Sequence, residues 1–156
     1  MKILVFSDTH GFSDHCCPII ESHGKVDAII HAGDIVRDED FLKEKYPDIP
    51  IYAVCGNNDF YSDYPYDIKV TLGGKKIFIT HGHRYSVRLG SYVLQDLITK
   101  DGYDLVVYGH THIPDHEYYR SSQLLNPGSL LYTKTYGIVE INNGEMKISI
   151  EKADLF

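Results

Sequence analysis

Apolar stretches alternate with segments of helical character along the first sixty residues. Three continuous apolar runs have the pattern of strands that are buried on both faces, as in parallel sheets: residues 2–7, 28–31 and 51–55. Between them we predict a helix over residues 13–22, with Ser13 as N-cap and Gly24 as its stop, and a helix over residues 38–45, with Asp38 as N-cap. This part of the chain therefore predicts the order β-α-β-α-β.

Shorter strands dominate the chain after residue 59. Residues 67–72 and 75–80 flank Gly73-Gly74, which is a strong signal for a two-residue hairpin. A helix is predicted over residues 91–100, and a buried strand over residues 105–108. The remaining segments predict short antiparallel strands at residues 117–119, 123–125, 136–141 and 146–150, the last two joined by an Asn143-Gly144 turn. With no repeat and no linker, residues 1–156 are predicted to form one α/β domain.

Composition narrows the class of protein. Apolar residues make up 43% and charged residues 24% of the chain, values that are ordinary for a globular protein. The formal charge of −7 argues against a binder of duplex nucleic acid, and no apolar run approaches the about 18 residues that a membrane helix needs. Cys16, Cys17 and Cys55 have no zinc-type spacing, so we expect reduced thiols and a cytoplasmic location. Self-association of the chain stays open.

Polar clusters follow five of the predicted strands. They are Asp8-x-His10, Gly33-Asp34, Gly56-Asn57-Asn58-Asp59, His81-Gly82-His83 and Gly109-His110-x-His112. Because ligands of α/β sheets gather outside the carboxyl ends of the strands, we expect these clusters to meet in one site. Carboxylate oxygen together with imidazole nitrogen suits first-row divalent metals. A set of about seven such donors is too large for one tetrahedral ion and suits two neighbouring ions.

Taken in order, the clusters resemble the five motifs of the calcineurin-like metallophosphoesterases, in particular the small prokaryotic phosphodiesterases of that superfamily. The resemblance extends from Asp8 to Ser129 and includes the Asn-Pro-Gly-Ser segment at residues 126–129. It implies a four-layer α/β/β/α sandwich of two facing mixed sheets. It also implies that Asp34 is shared between two metals, the first completed by Asp8, His10 and His112 and the second by Asn57, His81 and His110.

The resemblance implies a metal-dependent phosphodiesterase that hydrolyses small phosphodiesters or nucleotides by in-line attack of a hydroxide bridging two divalent ions. Manganese is the expected metal, with nickel, iron, cobalt or zinc as alternatives. Many members carry a histidine where this chain has Asn58, which cannot act as a general acid at neutral pH. We expect Asn58 and His83 to hydrogen-bond the phosphoryl oxygens and Asp59 to lie behind the ligands. The group that protonates the leaving group stays open.

Several alternatives stay open beside this interpretation. The same site could act on a phosphomonoester or a nucleotide pyrophosphate, and the family resemblance includes a eukaryotic retromer subunit that uses this fold as a non-catalytic protein-binding scaffold. Residues 56–59 and 126–129 could each be an ordinary turn. Other hypotheses concern residues outside the motifs: Tyr61, Tyr64 and Tyr66 as a stacking surface for a nucleoside, and His31 as a packing residue or a support of Asp34.

Overall fold

The structure of the protein, a computed structural model, describes residues 1–60 and 62–154. The strands are β1 (Lys2–Phe6), β2 (Ala28–His31), β3 (Ile51–Ala53), β4 (Asp67–Leu72), β5 (Lys75–Thr80), β6 (Leu105–Val107), β7 (Asp115–Tyr119), β8 (Ser122–Asn126), β9 (Thr135–Asn142) and β10 (Glu145–Lys152). The α-helices are α1 (Cys16–Ser22), α2 (Val36–Lys45) and α3 (Tyr92–Asp101). Short 3-10 turns cover Ser13–His15, His83–Tyr85 and Val87–Leu89.

Two mixed five-stranded sheets form the centre of the molecule. The first has the order β10-β9-β1-β2-β3, with β1, β2 and β3 parallel, and the second has the order β4-β5-β6-β8-β7. The predicted hairpin around Gly73-Gly74 is confirmed by the antiparallel pairing of β4 with β5. One prediction needs correction: β8 is antiparallel to β7 but parallel to β6, because β7 brings the chain back to the same end of the sheet before β8 begins.

Apolar side chains fill three spaces between four layers. The space between the two sheets is packed by residues such as Ile3, Ile30 and Ile79. Leu4 and Phe6 point from β1 to the opposite face, where they pack with residues of α1 and α2. Phe78, Val106 and Leu94 pack α3 on the outer face of the second sheet. The central strands are therefore buried on both faces, as their apolar runs predicted, and the four-layer α/β/β/α sandwich is confirmed.

The starts of two helices differ from the prediction. Helix α2 begins at Val36, and Asp38 is not its N-cap, because Asp38 Oδ2 instead accepts hydrogen bonds from Thr9 Oγ1 at 2.5 Å and from Gly11 N at 2.8 Å. The predicted helix over residues 13–22 is a 3-10 turn from Ser13 followed by α1 proper. A carboxylate that is used in a tertiary contact cannot be recognised from the capping pattern alone.

The predicted state of the thiols agrees with the structure. All three cysteines are buried and free, without a disulfide in the described part of the chain. Among the described residues, no helix is long and apolar enough to cross a membrane.

Candidate metal centre

The polar clusters meet at one end of the two sheets. His10 Nε2 lies 3.2 Å from His112 Nε2, which joins the loop after β1 to the loop after β6. His81, after β5, lies 3.1 Å through its Nε2 from Asn57 Oδ1, after β3. The structure thus brings together side chains that are up to 102 positions apart in the chain.

Asp8 lies at the centre of these contacts and is 1% exposed. Its Oδ2 accepts hydrogen bonds from Ser7 Oγ at 2.6 Å and from the backbone N–H of His110 at 3.1 Å. Its Oδ1 faces His112 Nε2 at 3.3 Å and His81 Nε2 at 3.9 Å. One oxygen is therefore fixed by the protein, while the other lies between two imidazole nitrogens.

Three predicted ligands of the first metal offer donor atoms close enough to hold one ion. One ligand atom from each of Asp8, His10 and His112 lies within 4.8 Å of the others. Asp34 is adjacent: its Oδ2 accepts a hydrogen bond from the backbone N–H of His10 at 2.6 Å and lies 3.3 Å from His10 Nδ1. Burial raises the pKa of Asp34, and the charge of Asp8 acts in the same direction. A cation shared by the two carboxylates would offset both effects.

The histidine of the second predicted set is held in one tautomer. His81 Nδ1 lies 2.8 Å from the carbonyl oxygen of Ala32, which can only accept, so Nδ1 carries the proton and Nε2 carries a lone pair. Burial lowers the pKa of His81 to about 4, which keeps the ring neutral at pH 7. The lone pair of Nε2 faces Asn57 Oδ1, itself an acceptor, at 3.1 Å. Asn57 Oδ1 and His81 Nε2 can both bind one ion, so the donor atoms of these residues fit a metal.

His110 is oriented by a residue that the sequence did not reveal. Arg88 Nε donates a hydrogen bond to His110 Nε2 at 3.1 Å, so Nε2 carries the lone pair of the neutral ring and is the atom that can bind an ion once Arg88 Nε moves away. Burial lowers the pKa of His110, and the positive charge of Arg88 lowers it further. The His110 ring lies edge-on to His81 at a centroid distance of 5.1 Å. All three residues of the second predicted set therefore lie in one cluster.

Four predicted ligands have left-handed backbone conformations that non-glycine residues rarely adopt. The φ angles are 52° at Asp8, 49° at His10, 70° at His110 and 61° at His112. Each such residue costs about 1–3 kcal/mol and persists only where the surrounding structure enforces it. Backbone strain of this kind concentrates at functional sites, and here it turns both ligands of each His- or Asp-x-His pair toward the centre.

Two glycines allow the ligand loops to touch. A Cβ at Gly109 would lie 2.0 Å from Ser7 Oγ and 2.9 Å from Asp8 Oδ2, so only glycine lets the loop after β6 approach Asp8. A Cβ at Gly56 would lie 2.6 Å from the carbonyl oxygen of Asp34. The close approach of these loops therefore requires glycine at positions 109 and 56, each directly before a predicted ligand.

The segment at residues 126–129 supports the ligand loops from behind. Asn126 Nδ2 donates to the carbonyl oxygen of Gly109 at 3.1 Å and to Thr111 Oγ1 at 2.9 Å. Ser129 Oγ donates to the carbonyl oxygen of Asp8 at 2.7 Å. Both residues are buried, so the segment is more than a turn, and it holds the two loops in register.

Asp59 connects the loops of Asn57 and Asp34. Its Oδ2 accepts the N–H of Gly56 at 2.8 Å, and its Oδ1 accepts the N–H of Val36 at 3.0 Å, at the start of α2. It thus supplies the carboxylate at the helix N-terminus that the sequence had assigned to Asp38.

A buried polar network lies beneath Thr9, between two predicted ligands. Thr9 Oγ1 lies 3.1 Å from His31 Nε2, and His31 Nδ1 lies 2.9 Å from Glu39 Oε1. His31 and Glu39 are both fully buried. Burial lowers the pKa of His31, but the adjacent Glu39 carboxylate outweighs this effect and raises it overall. His31 is therefore a partner of the ligand loop as well as a packing residue.

The two residues expected to contact the phosphoryl group lie at the rim of the centre. Asn58 is exposed, and its Oδ1 accepts a 3.5 Å hydrogen bond from Asn57 Nδ2. The His83 ring is 5.5 Å from His81 and 6.1 Å from His110. Its Nδ1 is buried without a hydrogen-bond partner among the described residues. Burial lowers the pKa of His83, which favours the neutral ring, a weaker proton donor than imidazolium.

The hypothesis of a tyrosine stacking surface receives little support from the described residues. Tyr61 lies outside them. Tyr64 Oη donates to Asp40 Oδ1 at 2.7 Å, and the Tyr66 ring is covered by the Arg84 guanidinium at 4.6 Å. Tyr66 lies 6.0 Å from the His83 ring, and Tyr132 stacks on His112 at a centroid distance of 5.3 Å. No motif marked Tyr132, because it meets His112 only through the fold.

Comparison with known proteins identifies the family of the chain. The model of the calcineurin-like phosphoesterase superfamily domain matches residues 1–144. The chain belongs to this superfamily. It is 32% identical over 150 residues to the Bacillus subtilis protein named "Probable metallophosphoesterase YsnB", covering 92% of this chain and 86% of that protein. It is 31% identical over 172 residues to "Phosphodiesterase MJ0936" of Methanocaldococcus jannaschii, covering 94% and 97% of the two chains.

Solved structures share the fold of this chain. A phosphoesterase-like protein from Streptococcus pneumoniae superimposes with a TM-score of 0.77 at 32% identity, covering 97% of this chain and 88% of that chain. Vps29 from Entamoeba histolytica, solved in complex with zinc, superimposes with a TM-score of 0.76 at 20% identity, covering both chains fully. The second likeness concerns the fold alone.

Proposed function

We propose that the protein is a metal-dependent phosphodiesterase that hydrolyses small phosphodiesters with two divalent ions, manganese foremost. The observation that carries the proposal is the pair of facing acceptors, His81 Nε2 and Asn57 Oδ1, 3.1 Å apart, next to the separate donor cluster of Asp8, His10 and His112. Together with membership of the superfamily, two neighbouring donor sets favour two ions over one.

The ligand sets divide as the family resemblance implies. Asp8, His10, Asp34 and His112 would hold the first ion, and Asn57, His81 and His110 the second, with Asp34 shared. When bound, two such ions supply an activated water and positive charge for the phosphoryl oxygens. Ser7, Ser129 and Asn126 hold the ligand loops, so little reorganisation is needed before the reaction.

Residues at the rim would bind the substrate. Asn58 Nδ2 and one ring N–H of His83 can each donate a hydrogen bond to a phosphoryl oxygen, and Arg88 adds positive charge beside His110. A phosphodiester carries a single negative charge, which these groups can neutralise without a further cation. The free, buried cysteines support a cytoplasmic location.

The test is hydrolysis of bis(p-nitrophenyl) phosphate by chelator-stripped protein titrated with manganese, beside the Asp34→Asn variant. We expect activity to appear with metal in the parent and to be lost in the variant, because the shared position loses its charge. Thermal unfolding of both proteins with and without manganese reports metal binding independently of turnover. A folded parent that binds manganese and hydrolyses neither this diester nor p-nitrophenyl phosphate would favour the scaffold function, whereas hydrolysis of the monoester alone would favour a phosphomonoesterase.

A further inference from the structure

An open cleft of about 680 Å³ begins at His110 and His112 and leads away from the metal centre. One wall is formed by the turn before α3 and the first residues of that helix, and the other wall by the loop after His112 and strand β7. Its volume lies within the range of about 300–1,000 Å³ that is typical of small-molecule sites. No motif in the sequence marked this cleft.

The mouth of the cleft carries exposed apolar side chains. Leu89 is 84% exposed, Tyr92 71% and Ile113 66%, and all three line the cleft. The Tyr92 ring lies close to Gly90, since a Cβ at Gly90 would lie 2.8 Å from Tyr92 Cε2. The exposed Tyr92 ring offers a flat apolar surface on which a planar ligand group can stack.

Three polar side chains of the cleft, Glu117, Gln95 and Asp115, have only acceptor atoms left for further hydrogen bonds. Glu117 is held by Ser91 Oγ at 2.6 Å and by Gln95 Nε2 at 2.6 Å. Gln95 Nε2 also donates to Ser91 Oγ at 3.0 Å, which leaves the carbonyl oxygen of Gln95 as its remaining polar group. Asp115 accepts from the hydroxyl of Tyr108 and has further acceptor capacity. A ligand group beside Glu117, Gln95 and Asp115 must therefore donate hydrogen bonds.

Among the described residues that line the cleft, Arg88 is the only lysine or arginine, and it lies where the cleft meets the metal centre. Arg88 uses Nε for His110, and a guanidinium has four further N–H donors. The organic group of a phosphoester bound at the metal centre would thus extend into a cleft that has a flat apolar surface and several hydrogen-bond acceptors.

We infer that this cleft is the subsite for the organic group of the substrate, and that this group is a nucleoside whose base carries an amino group. The inference rests on the proposed function, because the phosphoester must bind at the metal centre. A base stacks on Tyr92 between Leu89 and Ile113, and its amino group and the ribose hydroxyls donate to Gln95 and Asp115. The rim on the Asn58 side, where a tyrosine surface was expected from the sequence, stays open to solvent.

The test compares two diesters with the same leaving group, the p-nitrophenyl esters of adenosine 5′-monophosphate and of methyl phosphate. We expect the parent to show the higher kcat/KM for the adenosine ester. Tyr92→Ala should lower the ratio of the two kcat/KM values about tenfold, the effect of losing one base-stacking contact. The matched control is Tyr118→Ala, because Tyr118 is as exposed as Tyr92 (73%) but lies on the opposite face of β7 from Asp115 and Glu117.

Two results would overturn the subsite while leaving the proposed function intact. The first is a parent that hydrolyses both esters equally well, and the second is a ratio that Tyr92→Ala and Tyr118→Ala change to the same extent. If neither ester is hydrolysed, the proposed function fails. Calorimetric titration of the manganese-loaded protein with adenosine 5′-monophosphate then shows whether the cleft binds a nucleoside. Binding that is weakened by Tyr92→Ala and unaffected by Tyr118→Ala supports the nucleoside subsite, and absence of binding overturns this subsite.

Discussion

The two sides of the metal centre differ in how firmly their side chains are held. On the side formed by Asp8, His10, His110 and His112, which we call the locked side, the predicted ligands occupy left-handed turns tied together by buried hydrogen bonds. On the side formed by Asn57 and Asn58, which we call the open side, both side chains are exposed. On the locked side, strained backbone conformations fix the positions of the side chains. On the open side, the exposed side chains can change position when an ion and a substrate bind.

The largest effect is expected where the locked side is packed most tightly, in Gly109→Ala. The new Cβ would collide with Ser7 Oγ at 2.0 Å and push the His110 loop away from Asp8. We expect the free energy of unfolding to fall by about 1–3 kcal/mol and manganese-dependent activity to be lost. Urea unfolding and diester hydrolysis measure the two effects.

A second variant isolates the cause of that loss. Ser7→Ala removes the Oγ atom, so the double variant with Gly109→Ala should recover part of the stability that Gly109→Ala loses. Equal stability of the parent and Gly109→Ala would show that the two loops are not locked together as the structure indicates.

A smaller effect on activity is expected from the network beneath the locked side, in Glu39→Gln. The change removes the charge that faces His31 at 2.9 Å and leaves the volume nearly unchanged. We expect the free energy of unfolding to fall by about 1–3 kcal/mol, because a buried charged contact is lost without a cavity, and activity to fall less than in Gly109→Ala. Glu44→Gln, at an exposed position of the same helix, is the matched control in urea unfolding. If the two variants are equally stable, the buried pair does not support the ligand loop.

The sequence predicted the parts of the molecule that depend on local patterns. Continuous apolar runs identified the central strands, and Gly73-Gly74 identified the β4–β5 hairpin. The polar clusters at strand ends identified the side chains that the fold brings together, because each cluster follows a strand and contains or adjoins a glycine. These features depend on neighbours in the chain, which is why a single sequence was sufficient.

Features that depend on distant contacts could not be predicted in the same way. Asp38 has the pattern of an N-cap, but it accepts hydrogen bonds from Thr9 and Gly11, 29 and 27 positions away. Arg88 and Tyr132 belong to no motif, and they reach His110 and His112 only after the sheets have packed. The cleft beside α3 is likewise formed by two segments that the sequence gives no reason to join.

The smallest effect on the fold, and the sharpest test of the open side, is expected from Asn58→His. Because Asn58 is exposed, an imidazole there can be accommodated without repacking and titrates near neutral pH. It would add the general acid that Asn58 cannot provide, so cleavage of a diester with an alkoxide leaving group should rise at least about tenfold relative to bis(p-nitrophenyl) phosphate, whose leaving group needs no proton. Asn58→Gln, which keeps an amide, should leave the ratio of the two rates at the parent value, and an unchanged ratio in Asn58→His would show that the open side does not approach the leaving group.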